Sequence, residues 1–408
     1  MKVSVIAIGD ELLLGNVVDT NTPFLASLVD NEGWQLVHSC QVHDNPLDIL
    51  FAVKDAMRRS DIVLTTGGLG PTKDDITKQV LCEYFGGHLV HDPEVAANVA
   101  RIFAQRGLAM NPLTASQAMV PDTCKVIPNA SGTAPGMWFE RDGKVLVSMP
   151  GVPREMRYVF TGEVLPRLRE LDKVDRMPVQ HRYFLLEGIS ESKLNGELDA
   201  LDANHVLHAV HIAYLPQPGY LKLRLDSEKV DELEKATAEF ASLFSEYIFA
   251  NEDTTPATAL IDTLKALGLT VSSAESCTGG NIAHMITSVA GSSAVYNGSV
   301  VSYSNEMKIN VLGVNPQTIA RLGAVSEPVV EMMAQGVARV AQTDCAVSTS
   351  GIAGPGGATP GKPVGTVCIG IHTPAGTTTG TYHFTGNRAD IIERASTKSL
   401  ILLLRSLK

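Results

Sequence analysis

The stretch DIVLTTGGLGPTKDDITKQVLCEYFGG (residues 61–87) runs from an apolar block, through three glycines, into a helix-length segment. DIVLTTGG reads as a buried strand and KDDITKQVLCEYFGG as the helix after it. Gly67, Gly68 and Gly70 permit positive φ and let a ligand approach the backbone. A strand, a glycine turn and a helix N-terminus together suit a phosphate. The pattern repeats upstream. KVSVIAIGD and WQLVHSCQV read as strands; NTPFLASLVDNEG, closed by Gly33, and NPLDILFAVKDAMRRS read as helices. This alternation predicts an α/β, doubly wound parallel sheet with ligands at the C-terminal ends of its strands.

With 408 residues the chain exceeds what one core usually fills, so two or three domains are expected. The first is expected over residues 1–171. A small α+β region follows over 174–252, containing HRYFLLEG and DELEKATAEFASLFSEYI. NEDTTPAT reads as a linker, and a glycine-rich α/β domain spans 256–408. The net charge of −11 weighs against sequence-independent nucleic-acid binding, while a small anionic substrate remains compatible. Six cysteines form no CxxC pair, and no apolar run approaches the ~20 residues of a membrane span. These features predict a cytoplasmic protein with reduced thiols and no membrane partner.

In TTGGLGPTKDD, Gly68, Gly70 and Thr72 form the expected ligand turn. Asp74 and Asp75 are expected in the first turn of the next helix. There they could hold a divalent cation bridging to a pyrophosphate, or simply suit the helix dipole. The motif is neither a P-loop nor GxGxxG. Other polar loops could converge on it: Asp10 and Glu11 after the first strand, Asp19 and Asn21 before the next helix, and Asn111, Gln117, Asn129, Thr133, Gly151 and Glu155 further on.

A second constellation begins at AESCTGG (residues 274–280), which places Ser276 at a strand end with Thr278, Gly279 and Gly280 opening a helix. A hydroxyl there is either an N-cap or a nucleophile, and a nucleophile needs a base. His284 lies about two turns into the helix, too far along to serve. In SVVSYSNEMKINVLGV, Tyr303 ends a strand and Lys308 falls in the first helical turn. There the helix dipole and burial would lower the lysine pKa, as a Ser–Lys pair requires; a solvated lysine and a packed tyrosine are the plain alternatives. AGSSAVYNG supplies Ser292 and Ser293. STSGIAGPGGATPGKPVGTV, with Gly351, Gly354 and Gly356, could close over a ligand or be a flexible surface loop. Cys277 is the rival nucleophile.

GDELLLG, TTGGLGPTKDD, NPLTASQA, NASGTAPG and SMPGVPREM, in this order, resemble the N-terminal, molybdopterin-binding-like domain of the CinA (competence/damage-inducible protein A) family. AESCTGG, AGSSAVYNGSVVSYSNEMK, GAVSE and the glycine-rich loop resemble its C-terminal, PncC-type amidohydrolase domain. The resemblance implies a KH-like linking region between them. It implies hydrolysis of the carboxamide of nicotinamide mononucleotide to nicotinate mononucleotide and ammonia, with no cofactor. Ser276 would be the nucleophile, Lys308 the base, Tyr303 a proton-transfer partner and Ser293 a group on the reacting amide, with Thr278–Gly280 N–H groups facing the oxyanion. It further implies metal-dependent hydrolysis of ADP-ribose at Gly68, Gly70, Thr72, Asp74 and Asp75, and a homodimer. A nucleotide- or pterin-binding scaffold linked to competence or DNA damage is the reading from another class.

Overall fold

The computed structural model describes residues 1–72, 74–172 and 179–408. They form two compact units, 1–179 and 180–408. In the first, strands β1 (Lys2–Ile8), β2 (Gln35–Val42), β3 (Ile62–Thr66), β4 (Lys125–Ile127), β5 (Gly136–Arg141) and β6 (Lys144–Met149) make one sheet ordered β2-β1-β3-β6-β5-β4. The four strands β2, β1, β3 and β6 run parallel, as the βαβ alternation predicts; β5 and β4 are antiparallel. Central strand β3 is buried along its whole length, hence its unbroken apolar-to-threonine composition. Two cores flank the sheet, one under helix Asn21–Asn31 and one under helix Pro46–Arg59. The chain leaves β1 toward β2 on one side and returns to β3 on the other. The C-terminal ends of β1 and β3 therefore flank a topological switch point, where such sheets place ligands.

One expectation is corrected here. The helix after β3 begins at Thr77 rather than near Lys73, which itself lies outside the described residues. Asp74 and Asp75 precede the helix instead of forming its first turn. The reason is local: Asp75 folds its carboxylate back onto Gly70 and Thr72, which holds the chain in a turn until Thr77.

In the second unit, β7 (Gln180–Leu186), β8 (His211–Gln217), β9 (Tyr220–Ser227) and β10 (Ile248–Ala250) form an antiparallel sheet ordered β8-β9-β7-β10. Helix Val230–Leu243 covers it through Leu233, Ala236 and Phe240. The expected start of this region at Val174 lies outside the described residues. Leu185 and Phe249 join the core of the following segment, so the small sheet packs onto what comes after it. That segment holds β11 (Val271–Glu275), β12 (Tyr296–Val301), β13 (Cys345–Gly351), β14 (Thr366–Thr373) and β15 (Gly376–His383), ordered β12-β11-β13-β14-β15. β11 lies parallel to both neighbours, while β14 and β15 are antiparallel. Helices Pro256–Leu267 and Arg388–Ser406 cover one face and helix Glu327–Ala341 the other. The end of β11 is again a switch point, and Ser276 is the next residue.

Candidate active site

Ser276 follows a strand that is buried at all five positions. Its backbone N–H donates to Thr349 O at 3.0 Å, which continues the β11–β13 pairing for one more residue. Glu275, fully buried, governs the turn after it. Its Oε2 accepts from the Thr278 hydroxyl (2.8 Å), Gly280 N (2.9 Å) and Ile282 N (3.1 Å). Its Oε1 accepts from Ala283 N (2.9 Å) and, more weakly, from the Ser273 and Ser299 hydroxyls at 3.3 and 3.4 Å. A buried carboxylate is tolerated only with such partners. Here they are the otherwise orphaned N–H groups at the start of helix Asn281–Thr287, so Glu275 caps that helix from the strand side. Sequence reading passed over Glu275. The signal available was an acid at the end of an apolar strand, one residue before the polar turn.

Lys308 is 1% exposed. Its Nζ lies 3.0 Å from Ser276 Oγ, 2.7 Å from Ser302 O and 3.4 Å from Tyr303 O. Among the described residues no carboxylate lies within ion-pair distance of this amine. Burial therefore pushes its pKa below the ordinary lysine value, opposed only by the neighbouring Cys277. Ser304 caps helix Asn305–Asn310 and thereby turns Lys308 inward. Ser276 itself is 9% exposed. Cys277 points into the core, and burial pushes its thiol up to about 12.

The other expected residues divide. Tyr303 offers its carbonyl to Lys308, but its ring is 63% exposed and its hydroxyl accepts from Arg388 Nη2 at 3.1 Å. Ser293 is not brought to the site. It sits in the turn before β12, at the N-terminal end of the parallel strands, whereas Ser276 lies at their C-terminal end, and six strand residues at about 3.3 Å each put roughly 20 Å between those ends. The hydroxyl of Thr278 is engaged by Glu275 and Thr349. Gly279 N donates to Ser276 O and Gly280 N to Glu275, so neither is open to a ligand. Among the described residues, the N–H groups of Cys277 and Thr278 donate to no other residue, so the open donors lie nearer Ser276 than expected. Gly351 packs against β14, where a Cβ would stand 2.7 Å from Val367 Cγ2. Gly354 O accepts from Arg388 Nη1 at 2.7 Å, and Gly356 faces open space. Gly354, Arg388 and Asn387 at the start of helix Arg388–Ser406 line a cavity of about 620 Å³ with Ala353, Val364 and Ile392. Arg388 was missed because one arginine after a turn carries no pattern.

In the first unit, the β3 loop bends through Gly67 and Gly68 at positive φ. A Cβ on Gly68 would stand 2.1 Å from Thr77 Oγ1 and 3.3 Å from Asp44 Oδ1. Asp75 accepts Gly70 N at 2.7 Å, Thr72 N at 2.9 Å and the Thr72 hydroxyl. Both its oxygens are spent on the turn, so the Asp74–Asp75 pair does not fit the expected metal site. Thr72, through its hydroxyl and N–H, is likewise committed. Among the described residues no three His, Cys, Asp or Glu side chains are placed to hold a metal. Burial raises the pKa of Asp44, helped by the charges of Asp10, Glu11 and Asp74, which gather around it. Most other candidates hold loops in place. Asp19 binds the Asn21 and Thr22 N–H groups, Asn21 bridges Thr66 and Gly151, Asn111 caps a short helix, and Asn129 joins Ala134 O to Glu155.

Comparison with known proteins fits this layout. Residues 4–170 match the probable molybdopterin binding domain and residues 253–407 the CinA C-terminal domain. A CinA-like protein of Flavobacterium psychrophilum is 38% identical, covering 100% of this chain and 99% of its own. A putative competence-damage inducible protein of Caldicellulosiruptor saccharolyticus is also 38% identical, over 100% and 99%. The chain belongs to the CinA family. A solved structure of a competence/damage inducible protein from Agrobacterium tumefaciens is 38% identical, covering 37% of this chain and 92% of its own, with a TM-score of 0.36. No described helix is long and apolar enough to cross a membrane.

Proposed function

We propose that the second unit hydrolyses the carboxamide of nicotinamide mononucleotide, with Ser276 as nucleophile and Lys308 as base. The observation that carries this is the buried Lys308 amine, 3.0 Å from Ser276 Oγ, with no carboxylate in ion-pair distance among the described residues. Two carbonyls take two N–H donors of the amine. In the neutral form its lone pair is then left for the Ser276 O–H. The family resemblance supplies the substrate.

Lys308 takes the Ser276 proton as Oγ attacks the amide carbon. The oxyanion forms beside the N–H groups of Cys277 and Thr278. Collapse breaks the C–N bond, and the Lys308 proton leaves with the amine as ammonia. Water, activated by the same lysine, then hydrolyses the acyl-enzyme to the carboxylate and free Ser276. Arg388, with Gly354 and the start of its helix, offers the nucleotide phosphate a charge-assisted contact. Tyr303 orients Arg388 in this reading rather than moving a proton.

Ammonia release from nicotinamide mononucleotide, measured without added metal, tests it. Wild type and Cys277→Ala are expected to turn over; Ser276→Ala and Lys308→Ala are expected to lose turnover. Folded wild type that releases no ammonia overturns the reading in favour of a binding or scaffold role.

A second reading concerns the first unit: metal-dependent cleavage of ADP-ribose. It rests on the family resemblance of the first unit; the charges of Asp10, Glu11 and Asp74 raise the pKa of Asp44 through space, but among the described residues these acids are not placed as a set of three metal ligands. Manganese-dependent release of AMP from ADP-ribose, lost in Asp44→Asn, is its test.

A further inference from the structure

Helix Thr77–Phe85 carries a second buried lysine. Lys78 is 7% exposed, and the contact of its Nζ is the main-chain carbonyl of Gln117 at 3.3 Å. Among the described residues no carboxylate comes within ion-pair distance. The nearby Asp75 acts on it only through space, its own oxygens being engaged by the loop. Gln117 is 1% exposed, and neither atom of its side-chain amide has a hydrogen-bond partner. The Thr77 hydroxyl, fully buried, has none either. Buried donors and acceptors are ordinarily paired, and a buried ammonium is ordinarily compensated. Thr77 and Lys78 are successive residues after the glycine turn, and Lys78 reaches the main chain of Gln117, so these three exceptions call for something that brings acceptors to Lys78 and Thr77 and both kinds of group to Gln117.

We propose that Lys78, Gln117 and the Thr77 hydroxyl form an anion pocket that takes a phosphate or pyrophosphate group of the ligand bound at the β3 turn. A phosphate supplies acceptor oxygens for the ammonium, the hydroxyl and the amide NH₂. A ligand hydroxyl next to it would satisfy the amide oxygen. A phosphorylated ligand thus accounts for all three, whereas a neutral heterocycle leaves the ammonium uncompensated. This deepens the ADP-ribose reading of the first unit but is separable from it, because binding is measured apart from cleavage.

The experiment is calorimetric titration of the full chain with inorganic pyrophosphate and, separately, with ADP-ribose, together with thermal unfolding of each protein. The variants are Lys78→Met, Lys78→Arg and Gln117→Leu. Wild type is expected to bind both ligands. Lys78→Met should weaken both at least about tenfold, the loss of one charge-assisted contact. Lys78→Arg should retain part of the affinity, and Gln117→Leu should weaken ADP-ribose more than pyrophosphate. Both apolar variants should melt no lower than wild type without ligand, because one removes a buried charge with no ion-pair partner among the described residues and the other an unpartnered amide; this also guards against mistaking misfolding for lost binding. Pyrophosphate binding that depends on Lys78, in a protein that does not cleave ADP-ribose, supports the pocket and removes the pyrophosphatase reading. Undetectable binding of both ligands by wild type, or unchanged affinity in Lys78→Met, overturns the pocket.

Discussion

Replacing Glu275 with glutamine tests whether the carboxylate behind Ser276 sets the geometry of the turn. The change preserves shape and removes one acceptor. The amide oxygen can serve the three donors now on Oε2: Thr278 Oγ1, Gly280 N and Ile282 N. The NH₂ then stands where Oε1 was, facing the Ala283 N–H that now sits 2.9 Å away. The Ser273 and Ser299 hydroxyls can rotate to accept from the new NH₂, but the backbone N–H cannot. Losing a hydrogen bond to a charged acceptor costs about 1.5–3 kcal/mol. Losing negative charge at a helix N-terminus costs about 0.5–1 kcal/mol more. The sum is about 2–4 kcal/mol. For a unit of this size that lowers the melting midpoint by roughly 4–16 °C. The N–H groups of Cys277 and Thr278 belong to the same turn, and a displacement near 1 Å costs on the order of 10²-fold in rate. Thermal unfolding and ammonia release from nicotinamide mononucleotide, on the same preparations, give both readouts. A Glu275→Gln protein with an unchanged midpoint and unchanged turnover refutes the positioning argument.

Further outcomes follow from the same site. Because burial lowers the Lys308 pKa, turnover should rise with pH to a plateau, with its midpoint below 10.5. Folding stability should climb over the window from that lowered pKa up to 10.5, where the unfolded chain binds the extra proton, and Lys308→Met should flatten it. Lys308→Arg, which stays charged, should lose about 10²–10⁴-fold in turnover, as removal of a general base does. Cys277, with its thiol pushed up to about 12, should resist iodoacetamide in the native protein and react on unfolding, while Cys277→Ser keeps its turnover. Arg388→Ala should raise KM for the mononucleotide by about 10–100-fold. It should leave the unphosphorylated nucleoside unaffected, and an equal loss with both substrates refutes the phosphate contact.

The sequence made some of this legible and hid the rest for physical reasons. Strands β1 and β3 are buried and apolar, and glycines mark the turns after both, so periodicity and punctuation were enough to read the parallel half of the sheet. The antiparallel pairings of β5 with β4 and β6 were not visible, because they are joined by turns whose direction local composition does not encode. Ser276 and Lys308 lie 32 residues apart yet meet at 3.0 Å, because β11 and β12 are parallel neighbours whose C-terminal ends coincide. Strand order, not local pattern, brings them together. The same order carries Ser293 to the far end of the strands, although it is closer in sequence to Ser276 than Lys308 is. Glu275 and Arg388 act through contacts to backbone groups and neighbouring hydroxyls, and such contacts leave no spacing to read.

The two switch points solve a similar problem with similar parts. Each puts a glycine turn after a buried strand, and each spends an acid on it: Asp75 on Gly70 and Thr72, Glu275 on Thr278, Gly280, Ile282 and Ala283. An acid so engaged is not available as a metal ligand or as a counter-ion. Each unit then buries a lysine nearby without a carboxylate in ion-pair distance among the described residues, at a desolvation cost that folding alone gives no reason to bear. The difference lies in what each lysine meets. Lys308 meets two carbonyls and the Ser276 hydroxyl, so lowering its pKa leaves a base already aligned with a nucleophile. Lys78 meets one carbonyl at 3.3 Å, that of Gln117, whose own side-chain amide has no partner, so it is aligned with no reactive group of the chain. The first lysine is explained by a proton it can take from the protein. The second is explained only by charge arriving from outside it.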